Sequence, residues 1–360
     1  MKKYIFIRNK VKGPSCYYRI LQFLDTDNYE IIEYDSKISN NIHLKNKFLN
    51  NVFIRFIPGY YLRIKNIIKI ILKKIIYKEQ YFIFIQREVF PKYVGILGET
   101  LLKVMNRNAQ EVIWDFDDNI FKEEISTKEA KILFDTSSKI IVGNKFLKNY
   151  IINRTNSSIE VINTTDKMFE NLDLDKITLK RCEEYDHVLN IVWVGTKHNF
   201  RYLEPVIKYI DLAAEKINFK NVILKIICDK ELVIKTNKLL IRNIPWSRER
   251  VKKELENSHI GIMPLIENEF TKGKCAFKAV QYISAGIPIL VSNVGMNNEV
   301  VLNNYNGYLL DNYKEWEEAI LKLSNDKEKW INFSYKSRDL WKKNFDSKNI
   351  EKIIKNILKE

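Results

Sequence analysis

Proline and glycine are scarce in this chain, with 7 prolines and 11 glycines among 360 residues. Disordered and low-complexity proteins are usually rich in both, so this scarcity, together with a hydrophobic content of 46%, indicates a folded globular protein. No internal repeat of solenoid period is visible. A chain of this length is too long for one ordinary hydrophobic core, and we therefore predict two domains of roughly 150 to 200 residues each.

Cysteine and long apolar runs are rare as well. The four cysteines (Cys16, Cys182, Cys228 and Cys275) lie far apart and form no C-x-x-C pair, which argues against a zinc site or a disulfide framework and fits a reducing compartment. No uncharged apolar run approaches the length of about 18 residues that a membrane-spanning helix needs. The start, MKKYIFIRNKVKG, has only a short apolar run before charge returns, so it predicts a first strand and not a secretion signal.

Acidic residues are outnumbered, and the net charge is +15. A genome that favours lysine and isoleucine would explain this without any partner. Between Tyr60 and Lys78, however, lysine and arginine are interleaved with isoleucine and leucine, so a helix there would have a wide apolar face flanked by cations. This pattern is typical of a helix in an anionic membrane interface, although a helix packed on a core gives a similar one. Nucleic acid is disfavoured, because the aromatic residues form no stacking platform among the basic ones.

Short apolar segments alternate with helix-like segments along the whole chain. This alternation predicts an α/β protein with two doubly wound, Rossmann-like domains, whose parallel sheets are covered on both faces. The predicted strands are Lys3 to Arg8, Tyr29 to Tyr34, Tyr81 to Gln86, Val112 to Asp115, Lys139 to Val142, Ile159 to Ile162, Val188 to Val194, Val222 to Ile227, Leu239 to Ile241, Ile260 to Met263 and Ile289 to Ser292.

A polar, charged interval from Thr164 to Asp186 interrupts this rhythm and marks the expected domain boundary. We therefore expect a first domain over residues 1–165, a linker over 166–187, a second domain over 188–340 and a C-terminal helix over 341–360. The tail from Trp316 onward is helical by its pattern and is expected to pack back across the boundary. In doubly wound domains, ligands bind at the carboxyl ends of the strands.

The stretch from Thr271 to Glu299 has the strongest local signal. A basic loop, Lys272-Gly273-Lys274, is followed by an apolar helix from about Cys275 to Ala285, a buried strand, and a turn that opens another short helix. Free backbone N–H groups and lysine charge would then converge on one crevice, which suits a bound phosphate. We expect Lys274 and Lys278 to stand one helical turn apart on one face, where both can reach a diphosphate. A solvated helix face is the alternative.

Other candidates follow predicted strands directly. Gly195 allows close approach of a ligand to the backbone of its turn, which also holds Thr196 and Lys197, although an ordinary tight turn would look the same. Trp246 either stacks on a nucleobase or fills the core. Gln281 either contacts the ligand or bonds to buried backbone.

Acidic residues cluster in the segment WDFDD, which holds Asp115, Asp117 and Asp118. Carboxylates this close together raise one another's proton affinity, which would suit a base that accepts a proton from an acceptor hydroxyl. They would equally suit a divalent ion or a helix cap. Arg19, behind Gly13-Pro14-Ser15, is a candidate ligand for an anionic acceptor or for the donor phosphate.

Several motifs resemble a known family. The second half is similar to the nucleotide-sugar-binding half of GT-B glycosyltransferases, in particular retaining enzymes of glycosyltransferase family 4 (group 1). The first half resembles the acceptor domain of a subgroup of these enzymes. The motifs in the second half are VWVGTKHN (Val192 to Asn199), IPWS (Ile244 to Ser247), SHIGIMPL (Ser258 to Leu265), the block from Lys272 to Val301, and NGYLL (Asn306 to Leu310). Those in the first half are KGPSCYYRI (Lys12 to Ile20), VIWDFDDNIF (Val112 to Phe121) and IIVGNKFLKNYI (Ile140 to Ile151).

The resemblance implies transfer of a sugar, with retention of configuration, from a nucleotide diphosphate sugar to a hydroxyl of a glycan or lipid-linked acceptor. It implies no cofactor and no metal, and it suggests bacterial surface-polysaccharide synthesis. The basic segment from Tyr60 to Lys78 adds the expectation of a cytoplasmic protein at the inner face of the cytoplasmic membrane. Pattern and resemblance together give the candidate residues. Those for the donor are Gly195, Thr196, Lys197, Trp246, Ser247, Lys274, Lys278, Gln281, Val294, Gly295 and Glu299; those for the acceptor are Gly13, Pro14, Arg19 and Asp115; the catalytic candidates are Lys274, Lys278, Asp117 and Asp118.

One departure from the family concerns the donor sugar. Typical members carry two glutamates at the positions that Gly273 and Gln281 occupy here, and the first of these glutamates is associated with the sugar hydroxyls. The glutamate that would contact the sugar hydroxyls is therefore missing at position 273. A nucleotide-sugar epimerase of similar fold and a membrane-associated protein without catalysis stay open as alternatives.

Overall fold

The computed structural model describes residues 1–8, 14–34, 52–122, 124–217 and 220–359. The chain divides into two compact units. The first comprises Met1–Asn163 together with Glu351–Glu360, and the second comprises Thr164–Ile350.

The first unit is built on a six-stranded parallel sheet. In chain order the strands are β1 (Lys2–Ile7), β2 (Glu30–Glu33), β3 (Tyr81–Gln86), β4 (Glu111–Phe116), β5 (Lys139–Val142) and β6 (Ser158–Val161). Their order in the sheet is β2-β1-β3-β4-β5-β6, and every neighbouring pair is parallel. All residues of β3 are buried, as a strand covered on both faces requires. The helices are α1 (Pro14–Arg19), α2 (Val52–Tyr77), α3 (Gly95–Asn108), α4 (Thr127–Thr136) and α5 (Lys145–Ile151), with 3₁₀ turns at Leu21–Phe23, Thr26–Asn28 and Ile152–Arg154.

Side-chain caps set where two of these helices begin. Ser126 accepts a hydrogen bond from the N–H of Glu129 at the start of α4, and Asn144 does the same for Leu147 at the start of α5. Both caps directly precede apolar helical segments, so the sequence pattern and the observed helix starts agree. The core between helices and sheet is rich in aromatic rings, with Trp114 packed against its neighbours.

The basic helix α2 buries one apolar face and exposes another. Ile64, Ile67 and Ile70 lie in the core, whereas other apolar residues of the helix are exposed. Arg63, expected as a cation at the surface, is fully buried, because its guanidinium donates to the carbonyl oxygens of Ile32, at 2.6 Å, and Ile7. These carbonyls lie at or next to the ends of β1 and β2, and the arginine satisfies them.

The second unit has a six-stranded parallel sheet of the order β12-β11-β10-β7-β8-β9. The order reverses between β7 and β10, so the carboxyl ends of these two strands border a crevice of the kind that binds ligands in doubly wound sheets. The strands are β7 (Val188–Val194), β8 (Asn221–Cys228), β9 (Leu240–Pro245), β10 (Ile260–Met263), β11 (Ile289–Ser292) and β12 (Gly307–Leu310). The helices are α6 (Leu174–Tyr185), α7 (Phe200–Lys216), α8 (Arg248–Glu256), α9 (Glu269–Lys272), α10 (Phe277–Ser284), α11 (Asn297–Val300), α12 (Tyr313–Ser324) and α13 (Lys327–Asn344), with 3₁₀ turns at Lys167–Phe169 and Lys197–Asn199.

The polar interval 166–187, expected as a linker, is largely helical and belongs to the second unit. Its Arg181 is buried and donates to the carbonyl oxygens of Leu255, Ala285 and Gly286. The interval therefore contains a helix whose arginine is buried and hydrogen-bonded to backbone carbonyls.

The helical tail agrees with its pattern. After α12 and α13 the chain forms α14 (Ser347–Ile357), and the last residues group with the first unit. There Lys359 pairs with Glu111 at 2.5 Å, and its carbonyl oxygen accepts from Lys3. Within the part of the chain that the structure describes, no helix combines the length and apolar character needed to cross a membrane.

Candidate active site

Turns that follow three strands of the second unit place the donor candidates on one edge of the sheet. Gly195 follows β7, Trp246 follows β9, and the turn 293–295 follows β11. Because the strands are parallel, their carboxyl ends lie at the same edge. These candidates therefore lie at one edge of the sheet, and their roles remain predictions.

Gly195 lies where a larger residue would meet the ring of Trp193. A Cβ atom at this position would be 2.4 Å from the ring of Trp193, so the turn needs glycine for packing as well as for any approach by a ligand. Thr196 and Lys197 beside it are exposed. The N–H of Lys197 donates to a carboxylate oxygen of Asp229, at 3.0 Å, which ties the turn after β7 to the turn after β8.

The turn after β11 packs against the basic loop. Gly295 has a φ of +57°, and a Cβ there would be 2.9 Å from the carbonyl oxygen of Lys272. The two segments that the sequence joined into one anion site are thus in contact. The N–H of Val294, expected to face a phosphate, already donates to the carbonyl oxygen of Ser292 at 2.8 Å. Glu299 is exposed in the short helix α11.

The helix after the basic loop begins later than expected. Ala276 has a left-handed backbone, with φ at 48° and ψ at 27°, and α10 starts only at the next residue. Lys274 therefore lies in the loop, where Gly273 ends α9, and it does not share a helical face with Lys278. A left-handed alanine costs about 1 to 2 kcal/mol, and such strain is often found at functional sites.

Lys278 is held by a chain of two hydrogen bonds. Its ammonium donates to Oε1 of Gln281 at 2.9 Å, and Nε2 of Gln281 donates to Oδ2 of Asp166 at 2.8 Å. Burial lowers the pKa of Lys278 to about 8, and the charge of Asp166 opposes this shift. Lys274 lies over the ring of Phe270, with its Nζ 4.7 Å from the ring centre.

The remaining donor candidates divide between exposed and structural positions. Trp246 is 40% exposed, so the alternative of a core residue is wrong and its ring is accessible to a ligand. Ser247 caps α8, with its hydroxyl accepting from the N–H of Arg250 at 3.2 Å. Tyr282, which was not a candidate, accepts from the N–H of Val194 at 2.8 Å and links α10 to the end of β7.

The first unit gathers carboxylates at the end of β4, and the structure gives them different tasks. Asp115 is buried in an ion pair with Arg19, whose Nε lies 3.2 Å from both carboxylate oxygens. A second nitrogen of Arg19 donates to the carbonyl oxygen of Ile162. Both residues were candidates for binding the acceptor. In the structure they bond to each other and stabilise the fold. Pro14 is the first residue of α1, and Gly13 lies outside the described residues.

Asp117 has the environment of a tuned acid or base. Its Oδ1 accepts from the hydroxyl of Ser15, at 2.5 Å, and from Arg87, at 3.2 Å. Burial and the charge of Asp118 raise the pKa of Asp117 to about 6, while Arg87 and Arg19 oppose the shift. The prediction that neighbouring carboxylates raise proton affinity here agrees with this environment.

Arg87 was not among the candidates, although it is the hub of this cluster. It is buried, it has a φ of +68°, and its guanidinium also contacts Asp118, at 3.3 Å, and Glu124, at 2.6 Å. Its position directly after β3 was a usable signal, because such positions lie on the same edge as the end of β4. Among the described ranges, no group of three or more His, Cys, Asp or Glu side chains is arranged to hold a metal ion.

Comparison with known proteins points to the same chemistry. Residues 229–340 match the family model of glycosyl transferases group 1. A search among curated proteins finds no match. Among solved structures, the chain is similar to Anabaena Alr3699/HepE in complex with UDP, with a TM-score of 0.65, 11% identity and 100% of both chains covered. The complex of that protein with UDP-glucose gives a TM-score of 0.64 at 12% identity, covering 100% of this chain and 99% of that one.

A second similar structure comes from another bacterium. A glycosyltransferase from Rickettsia africae ESF-5 gives a TM-score of 0.60 at 15% identity, covering 100% of this chain and 99% of that one. Identities this low show the fold, which is the two-domain GT-B architecture, and the family match supplies the chemistry of the second unit. Residues 229–340 thus match a glycosyl transferases group 1 domain, and the chain has a GT-B fold.

Proposed function

We propose that this chain moves a sugar from a UDP-sugar to a hydroxyl of a glycan or lipid-linked acceptor, with retention of configuration. The observation that carries the proposal is Lys278, whose ammonium is held at the start of α10 inside the matched domain. UDP and UDP-glucose bound to the similar Anabaena structures support the choice of nucleotide. Synthesis of a bacterial surface polysaccharide is the proposed setting.

The reaction breaks the bond between the anomeric carbon and the β-phosphate oxygen and forms a bond from that carbon to the acceptor oxygen on the same face. Negative charge develops on the departing diphosphate, and the charges of Lys278 and Lys274 stabilise it. The acceptor hydroxyl gives its proton to a base, for which Asp117 is the candidate. Trp246 provides an exposed ring on which the uracil can stack.

Nucleotide binding is the direct test of the donor. A thermal-shift panel of UDP, GDP, ADP and CMP is expected to show a rise in Tm with UDP, because a ligand that binds only the folded state stabilises it. Product analysis with UDP-sugar then separates the activities: a transferase consumes donor when acceptor is present, whereas an epimerase converts donor without acceptor. Equal Tm values with and without every nucleotide would count against a donor site.

The acid side of the pH profile tests Asp117. A base works only when deprotonated, so kcat/KM is expected to fall as pH drops below about 6, the value to which the pKa of Asp117 is raised. The hydroxyl of Ser15 stabilises the carboxylate, so Ser15→Ala raises this pKa and moves the acid limb to higher pH. At pH 6 the variant is expected to be about two- to fivefold slower than wild type, and at pH 8 nearly equal.

Ser158→Ala is the matched control, because Ser158 is exposed and makes only a long contact of 3.4 Å to the carbonyl oxygen of Ser138. Its pH profile is expected to equal that of wild type. An acid limb that stays in place in Ser15→Ala would remove Asp117 from the mechanism.

Association with an anionic membrane through α2 is also part of the proposal. Ile57, Tyr61, Ile68, Leu72 and Ile75 are exposed, and their spacing places them along one side of the helix. Exposed Lys65 stands among them, while Lys69 pairs with Glu30 at 3.1 Å. An exposed apolar stripe beside cations suits the headgroup region of anionic lipids.

The membrane proposal predicts that the chain co-sediments with phosphatidylglycerol vesicles more than with phosphatidylcholine vesicles. The variant Ile75→Ser/Ile76→Ser removes two side chains that are 68% and 63% exposed, so folding is preserved while vesicle binding drops about tenfold. Val233→Ser, at a position that is 92% exposed in the second unit, is the control and keeps full binding. Equal recovery of wild type with both kinds of vesicle contradicts the proposal.

A further inference from the structure

Asp166 serves two elements of the second unit at once. Its Oδ1 accepts the N–H of Met168, at 3.0 Å, and caps the 3₁₀ turn Lys167–Phe169. Its Oδ2 accepts from the side chain of Gln281 at 2.8 Å, and the residue is only 1% exposed. Arg248 approaches Oδ1 at 3.7 Å. The buried carboxylate of Asp166 is thus surrounded by hydrogen-bond donors, as a buried charge requires. It lies at the end of the hydrogen-bond chain that leads to Lys278.

The bond to Asp166 decides how the amide of Gln281 is oriented. A carboxylate only accepts hydrogen bonds, so the amide must present its nitrogen to Asp166. Its oxygen then faces Lys278 and accepts from the ammonium at 2.9 Å. Gln281 is 1% exposed, so water does not compete for either end of the amide.

We propose that Asp166 is a positioning residue for the donor, because through Gln281 it holds the ammonium of Lys278 where the diphosphate binds. The proposal rests on the donor role of Lys278 proposed above. Asp166 acts through another side chain and touches no reacting atom.

The charge of Asp166 has a second consequence for Lys278. Burial lowers the pKa of the lysine to about 8, and the groups that face it are Asp166 and Cys275, both of which raise the pKa. Arg248 lies beside Asp166, and Lys274 comes from the preceding loop. When Asp166 loses its charge, burial prevails and the lysine deprotonates at lower pH. Binding of the diphosphate needs the charged lysine, so binding weakens as pH rises through the lowered pKa.

Asp166→Asn in the full chain is the test, with UDP as the probe in calorimetric titrations between about pH 6 and 9. Asparagine still caps the 3₁₀ turn, so the fold is retained. We expect affinity for UDP near the wild-type value at pH 6 and a loss of about fivefold at pH 8, because the alkaline limb of the affinity profile lies about one pH unit lower. The double variant Asp166→Asn/Gln281→Glu places a carboxylate directly at Lys278. Its affinity for UDP is expected to fall at the same alkaline pH as that of wild type.

Asp173→Asn is the matched control, because Asp173 caps α6 through the N–H of Lys176, at 3.1 Å, and has no bond to Gln281. A lowered Tm in Asp166→Asn with an unchanged alkaline limb would show a merely structural role and overturn the proposal. Lys278→Met separates this failure from that of the proposed function. If Lys278→Met binds UDP as tightly as wild type does, the proposed donor role of Lys278 fails. If Lys278→Met loses affinity for UDP while Asp166→Asn matches wild type at every pH, only the inference about Asp166 fails.

Discussion

Lys278→Met is expected to lower kcat/KM for sugar transfer by about 10² to 10³, the usual loss when one stabilising donor is removed from a site of developing charge. Methionine keeps most of the volume of the lysine stem, so the helix and its packing survive. Because the negative charge of the diphosphate grows as the sugar leaves, the lysine stabilises the transition state more than bound substrate. The loss is therefore expected mainly in kcat, with a smaller rise in KM.

Lys272→Met, at the end of α9 and six residues before Lys278, provides the control. Lys272 pairs with Glu267 at 2.7 Å on the surface, and an exposed pair of this kind contributes little to stability or binding. Its kinetics are expected to stay within about twofold of wild type. Steady-state rates at pH 7 and Tm values for both variants separate a catalytic loss from misfolding. Wild-type turnover by Lys278→Met would remove the lysine from the mechanism.

The regular part of the fold was readable from the sequence because it depends on local pattern. β3, β5, β7, β10 and β11 have the predicted bounds, since each is a short apolar run closed by polar or turn residues. β12 was noticed only as the family motif NGYLL and not as a strand. It begins with Gly307, a residue type that is depleted in strands, so the run did not look like one.

The site was less readable, because its bonds join residues far apart in the chain. Gln281 meets Asp166 across 115 positions, and Arg19 meets Asp115 across 96. No local sequence pattern predicts such a pairing. Arg19 was therefore predicted to bind an anionic acceptor or the donor phosphate, and Asp166 was not a candidate. The left-handed Ala276 was equally unpredictable, since alanine is a good helix former and its backbone here is nonetheless left-handed. Arg87 directly follows a predicted strand, and this position could have identified it as a site residue.

The buried pair of Arg19 and Asp115 gives the largest expected effect on stability. In Arg19→Met the carboxylate of Asp115 stays buried without its partner, and breaking such a pair from one side costs about 3 to 5 kcal/mol. Hydrogen exchange of β4, followed by mass spectrometry, reports this loss within the first unit as faster exchange of the strand amides. The double variant Arg19→Met/Asp115→Asn is expected to regain part of the loss, because no buried charge is left unpaired. If Arg19 binds an acceptor instead, Arg19→Met raises KM for the acceptor and leaves the exchange of β4 unchanged, a result that would return Arg19 to the acceptor site.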